Sequence, residues 1–193
     1  EAPLMLADAP PAPRMPVART TGTQKLFELT MEQMGTRLVD QMSLLPRPLR
    51  RTLLRVQPGA LYGLNMGLVT LLQGGKVVWM GSDSDAQINE LIAGHIDNII
   101  SAPMGFASLL EVFSQRGLPA PKLDYCVASG SVMSPELASS LMQKFCPEFY
   151  IQYGSTETGP IAFTEAAAIT TRPGSVGRLA PFVNAWTVPE TGL

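Results

Sequence analysis

A chain of 193 residues that is 46% apolar and 16% charged is long enough for one domain with a sizeable core, and this composition excludes a disordered polypeptide. The formal net charge of −2 leaves no cationic footprint for nucleic acid or an anionic membrane surface. Cys126 and Cys146 are too few and too far apart for a disulfide framework or a zinc site, so both read as reduced core thiols of a cytoplasmic protein. Polar or charged residues interrupt every apolar stretch, so no membrane span is expected, and no signal peptide is visible.

In chain order, residues 1–17 form a proline-rich lead-in, with Pro3, Pro10, Pro11, Pro13 and Pro16 marking a loop. Thr30 is suited to cap a helix running to about Leu45, with Met31, Met34, Leu38 and Met42 on one side, and Pro46 and Pro48 end it. The pattern then predicts a strand over Thr52–Gln57, a buried helix over Tyr62–Leu72 and a strand over Lys76–Met80. A helix over Asp83–Gly94, a strand over Asn98–Ala102 and a helix over Pro103–Arg116 follow. Leu123–Ala128 reads as a strand and Ser134–Phe145 as a helix with Ser134 as cap and Pro135 at its first position. Phe149–Gln152 is a short strand delivering Tyr153. This alternation predicts an α/β fold on a mainly parallel sheet, with ligands held beyond the C-terminal ends of the strands. No internal repeat is present.

Three segments carry chemistry. Tyr153-Gly154-Ser155-Thr156-Glu157-Thr158-Gly159-Pro160 puts a flexible turn, hydroxyls for phosphate oxygens and one carboxylate for magnesium side by side. Ala18-Arg19-Thr20-Thr21-Gly22-Thr23-Gln24-Lys25 is a hydroxyl-rich loop closed by a lysine, suited to gripping a polyphosphate but lacking the GxxxxGK[ST] spacing. Between them, Val127-Ala128-Ser129-Gly130-Ser131-Val132-Met133-Ser134 reads as a strand followed by a small-residue turn.

In order and spacing these segments resemble the adenylate-forming superfamily: acyl- and aryl-CoA synthetases, peptide-synthetase adenylation domains and luciferases. The first loop is similar to the family's S-G-T-T-G-x-P-K segment, the small-residue turn to its G-G-A-P-L-S segment, and Y-G-S-T-E to its Y-G-x-T-E signature. Leu71-Leu72-Gln73-Gly74-Gly75-Lys76-Val77-Val78, like the family's helix–GG–strand step, and Arg172-Pro173-Gly174-Ser175-Val176-Gly177-Arg178 extend the likeness, which runs from about Arg14 to Leu193. The resemblance implies that a carboxylic acid attacks the α-phosphate of ATP to give an acyl-adenylate and pyrophosphate. A thiol, of coenzyme A or a carrier protein, then takes the acyl group. It implies phosphate binding by Thr20, Thr21, Gly22, Thr23 and Lys25, and adenine binding by Ser129, Gly130, Ser131, Tyr153 and Gly154. Thr156 would contact the α-phosphate and Glu157 would hold Mg²⁺, while Tyr62, Gly63, Met66, Met104 and Phe106 would line the acid pocket. Those pocket residues, apolar or small, point to an apolar acyl or aryl group.

The sequence departs from the family at several positions. Arg19 stands for a glycine and Gln24 for a proline in the phosphate loop, Ser129 for a glycine and Val132 for a proline in the adenine turn. Ala60 lies near a histidine position of the acyl-CoA synthetase branch, and no aspartate is present there to pair an amino-acid ammonium. The resemblance also implies that residues 18–193 are the central part of the large domain, with the ribose aspartate, hinge and terminal lysine beyond Leu193 and a first part before Glu1. On that reading the isolated chain is weakly active at most and exposes apolar surface that favours self-association. A non-catalytic nucleotide- or acyl-binding module is the alternative, supported by Arg19 and Gln24.

Other residues carry less. His95 is the single histidine, which excludes a histidine-based triad, and it fits a helix C-terminus. The methionines at helical spacing fill core. A glycine-rich turn before Leu179 accounts for Arg178 without a phosphate role, and Ser129-Gly130-Ser131 lacks the G-x-S-x-G elbow of an α/β hydrolase.

Overall fold

The computed structural model describes residues 14–17, 25–79 and 84–186. Strands β1 (Arg14–Val17) and β2 (Lys25–Glu28) pair antiparallel, so the end of the proline-rich lead-in is one arm of a hairpin. The connecting segment, with Arg19, Thr20, Thr21, Gly22, Thr23 and Gln24, lies outside the described residues.

Helix α1 (Met31–Leu44) begins where the hydroxyl of Thr30 accepts from the Gln33 N–H at 3.1 Å, while the Gln33 side chain accepts from the Thr30 N–H at 2.9 Å. This reciprocal cap satisfies two donors that a helix start otherwise leaves open. The buried side of α1 differs from the periodicity reading: Met34 is buried, but Met31 is 69% exposed and Gln41 is buried instead.

The main sheet has seven strands in the order β4 (Lys76–Trp79), β3 (Arg51–Arg55), β5 (Asn98–Ser101), β6 (Tyr125–Ser129), β7 (Phe149–Ser155), β8 (Gly159–Glu165), β9 (Arg178–Leu179). The first five run parallel, β8 returns antiparallel to β7, and β9 pairs antiparallel to β8. Crossovers are made by α2 (Leu61–Leu72), α3 (Ser84–Ile92), α4 (Pro103–Gln115) and α5 (Pro135–Lys144), and α6 (Ala167–Thr171) follows β8. The α/β fold on a mainly parallel sheet is therefore as the alternation predicts.

Helices cover both faces, which is why β5 and β6 are buried at every residue. On one face Leu53, Ile99, Cys126, Ala128 and Ile151 join side chains of α3, α4, α5 and α6, with Phe106 and Phe149 meeting edge-on at 4.7 Å. On the other, Leu54, Ile100, Tyr125 and Val127 meet Met66 and Val69 of α2. Cys126 and Cys146 are free and buried. His95 sits past the end of α3, its N–H donating to the Glu90 carbonyl at 3.0 Å and its ring 3.2 Å from the Glu90 carboxylate. No helix among the described residues is long and apolar enough to cross a membrane.

One element differs in kind. The sequence reading ends the seventh strand at Gln152, yet β7 continues to Ser155 and turns directly into β8. The register shifts between Tyr153 and Gly154, a bulge in the ladder. Gly154 makes this close approach feasible, because a Cβ there would lie 2.2 Å from the Gly159 carbonyl oxygen. Thr156, Glu157 and Thr158 form the hairpin tip.

Candidate active site

All five parallel strands end on the same side, where β6 delivers Ser129-Gly130-Ser131 and β7 delivers Tyr153-Gly154. Two adjoining cavities open there, sharing Gly130, Gln152 and Gly154 in their walls. The first, about 300 Å³, is walled by the small-residue turn, Met133, Tyr153 and the Gly174–Val176 turn. The second, about 380 Å³, brings together Arg37, Tyr62, Asn65, Ser129, Thr156 and Glu157. Both fall within or near the usual volume of small-ligand sites, 300–1,000 Å³. A larger cavity of about 670 Å³ lies at the opposite edge, at the starts of the strands. Of the segments that carry the family likeness it holds only Gln73-Gly74-Gly75-Lys76 and none of the expected ligand-binding residues, and its Arg51 and Asp97 neutralise each other at 2.5 Å.

The hairpin tip is held from outside. Arg37 of α1 donates through Nη1 to the Thr156 carbonyl at 2.7 Å and through Nη2 to the Glu157 carbonyl at 2.5 Å. Burial lowers the Arg37 pKa and the nearby negative charge of Glu157 opposes that shift, so the guanidinium stays charged. Within the tip, the Ser155 and Thr158 hydroxyls lie 3.0 Å apart and the Thr158 N–H donates to Ser155 Oγ at 3.2 Å. Thus Thr156 and Glu157, separated from α1 by more than a hundred residues, are presented by a cross-braced turn, with Glu157 exposed.

Behind the tip a second brace joins the same two elements. The amides of Gln41 and Gln152, both buried, exchange hydrogen bonds at 2.8 and 2.9 Å. Arg37 and Gln41 are one helical turn apart on α1, so a single face of this helix fixes both the base and the tip of the β7–β8 hairpin. Sequence reasoning missed both. The only signal for them was a polar residue where the apolar periodicity of α1 is interrupted.

Ser129, Gly130 and Ser131 of the small-residue turn and Tyr153 and Gly154 of the Y-G-S-T-E segment all border one or both cavities. Gly130 has φ +96°, a conformation that glycine adopts without strain. Tyr153 is 48% exposed and borders the first cavity. Lys25 is described only as the first residue of β2, and Thr20, Thr21, Gly22 and Thr23 lie outside the described residues.

The expected acid-pocket residues do not stay together. Tyr62 lines the second cavity, but Met66 and Phe106 are fully buried in the two cores on opposite faces of the sheet. The reason is periodicity: α2 turns Met66 under the sheet, and Phe106 packs on Phe149. Met104 is 78% exposed at the start of α4, and Gly63 serves packing, since a Cβ there would meet the Gln57 carbonyl oxygen at 2.2 Å. Asn65, a polar residue absent from the sequence-based selection, lines the same cavity as Tyr62. Burial pushes the Tyr62 phenol far up, with neighbouring Ser129 opposing the shift, so it is a neutral proton donor.

Glu157 is suited to a hard cation. No group of three or more histidine, cysteine or acidic side chains that would make an all-protein cage occurs among the described residues. A single carboxylate on a hydroxyl-rich turn is the kind of protein ligand that suffices for magnesium where phosphates and water complete its shell.

Comparison with known proteins identifies the family and the fold. The AMP-binding enzyme family model matches residues 20–191, and the chain belongs to that family. No curated protein sequence matches it. Among solved structures, it is similar to O-succinylbenzoate coenzyme A synthetase (MenE) from Bacillus subtilis in complex with ATP and magnesium, at 21% identity and TM-score 0.72, covering 86% of this chain and 35% of that one. It is also similar to MatB from Rhodopseudomonas palustris bound to ATP, at 19% identity and TM-score 0.75, covering 93% and 36%. The likeness to VinN in complex with L-aspartate has the same identity and TM-score, covering 93% and 47%. The chain thus spans about a third to a half of these proteins, and at such identity the likeness establishes the fold.

Proposed function

We propose that this chain supplies the nucleotide- and acid-binding core of an ATP-dependent, AMP-forming acid ligase. The observation that carries the reading is the second cavity, where Thr156, Glu157 and Ser129 converge on one volume at the C-terminal edge of a sheet belonging to the AMP-binding family. The acid carboxylate attacks the α-phosphorus, the bond to the bridging oxygen breaks, and pyrophosphate leaves with that electron pair. Such a transfer needs little covalent help from protein, only in-line positioning and neutralised charge. Thr156 donates to the α-phosphate, Tyr153 offers its ring face to adenine, and the Ser129-Gly130-Ser131 turn lets the base approach the backbone. The Tyr62 and Asn65 end of the cavity receives the acid. Glu157 holds magnesium, which supplies charge neutralisation on the phosphates.

Thr20, Thr21, Thr23 and Lys25 complete the phosphate contacts, and coenzyme A or a carrier-protein thiol accepts the acyl group. The likeness of fold to enzymes crystallised with ATP supports the nucleotide assignment. Calorimetric titration with ATP, with and without magnesium, tests it: binding should require magnesium and disappear in Glu157→Ala with the fold intact. Equal magnesium–ATP affinity of both proteins removes Glu157 from the site. Thioester formation with free coenzyme A, measured beside pyrophosphate exchange, decides the acceptor.

A further inference from the structure

Cys126 and Cys146 lie far apart along the chain, yet the fold sets their thiols side by side. Cys126 is on β6, and Cys146 is in the link between α5 and β7, outside any helix or strand. One carbonyl gathers them: the Glu148 oxygen accepts from the Cys126 N–H at 3.0 Å and from Cys146 Sγ at 3.4 Å. Both side chains belong to the same core cluster, and neither is in a disulfide. Burial pushes the Cys126 thiol well up, while that adjoining thiol, as a hydrogen-bond donor, holds Cys146 below its ordinary value. The pair is therefore unequal: Cys146 is the readier thiolate and Cys126 stays protonated beside it. The cover over Cys146 is thin. It is 1% exposed, but Gln143, Lys144, Pro147 and Glu148 around it are exposed, so a local shift of this short link uncovers the sulfur without opening the sheet.

We propose that Cys126 and Cys146 are an oxidisable dithiol, a modification site at which hydrogen peroxide closes a disulfide between β6 and the α5–β7 link. The Cys146 thiolate attacks one peroxide oxygen and the O–O bond breaks. Hydroxide leaves, takes up the thiol's proton as water, and a sulfenic acid remains on Cys146. The Cys126 sulfur then attacks the Cys146 sulfur, the S–O bond breaks, and the hydroxyl departs with the Cys126 proton as a second water. Two thiols and one peroxide thus give one disulfide and two waters. Disulfide geometry is exacting, and Cys146, lying in a link rather than a ladder, is the partner free to adjust to it. The bond joins the starts of β6 and β7, and neither cysteine lines the two cavities beyond the other ends of these strands.

Intact-mass measurement of the folded protein after treatment with dilute hydrogen peroxide tests the assignment. The protein should lose the mass of two hydrogen atoms and regain it with dithiothreitol, and digestion of the oxidised form should release one peptide pair joined through Cys126 and Cys146. Cys126→Ala removes the second thiol, so the sulfenic acid should persist and dimedone should label Cys146 there far more than in the wild type. Thiols that stay free in the folded protein overturn the proposal, as does oxidation only at urea concentrations that unfold it. A disulfide between two molecules overturns it too, as does equal dimedone labelling of Cys146 with and without Cys126. Neither nucleotide nor acid enters this test, so its outcome is independent of the ligase reading.

Discussion

Replacing Gln41 by leucine strands the amide of Gln152, and the structure allows the consequence to be worked through. The pair exchanges two hydrogen bonds with both residues nearly solvent-free, at 2% and 5% exposure. Each single change, Gln41→Leu or Gln152→Leu, removes both bonds and leaves a buried donor and acceptor unpaired, at a cost of about 2 kcal/mol after the gain of apolar area. For a domain of this size that is a fall in Tm of about 4–8 °C. The double replacement strands nothing and should cost only about 1 kcal/mol, so the coupling energy is about 3 kcal/mol. Urea unfolding of the four proteins measures the cycle. Gln152 also borders both cavities, so each single variant should weaken magnesium–ATP binding in parallel. Additive destabilisation by the two single changes would refute the reasoning, since independent residues show no coupling.

Arg37→Met removes two charge-assisted hydrogen bonds from the hairpin tip, and should lower magnesium–ATP affinity about 10-fold by loosening Thr156 and Glu157. Titration calorimetry would show it, and unchanged affinity would mean the tip holds itself. Gly154→Ala places a methyl group 2.2 Å from the Gly159 carbonyl and should destabilise the domain by about 3 kcal/mol or more, read as the shift of the urea midpoint. The Arg51 guanidinium holds the Asp97 carboxyl below its ordinary value of 3.8. Its contribution is therefore fully present above the unfolded value and is lost as pH falls through the lower folded value. Unfolding midpoints measured between about pH 5 and pH 2 should fall less steeply in Asp97→Asn, and identical acid limbs would remove the pair from acid stability.

Local chemistry already written in the chain determined most of the elements. Thr30 with Gln33, Ser134 with Pro135, and the prolines at 46 and 48 mark helix ends because caps and missing N–H groups act within a few residues. The segments of β5 and β6 were legible as strands, and the small-residue turn and Y-G-S-T-E segment carried the family likeness at positions the fold does bring together. What the sequence did not disclose are events between distant segments. The antiparallel return of β8 depends on how closely Gly154 meets Gly159, the tip depends on Arg37, and the hairpin base depends on Gln41 finding Gln152. Along the chain, Gln41 is merely a break in an apolar stripe, and Met66 and Asn65 are neighbours of equal promise. The tertiary structure decides between them, because only the packed sheet determines which side of α2 meets the core and which meets the cavity.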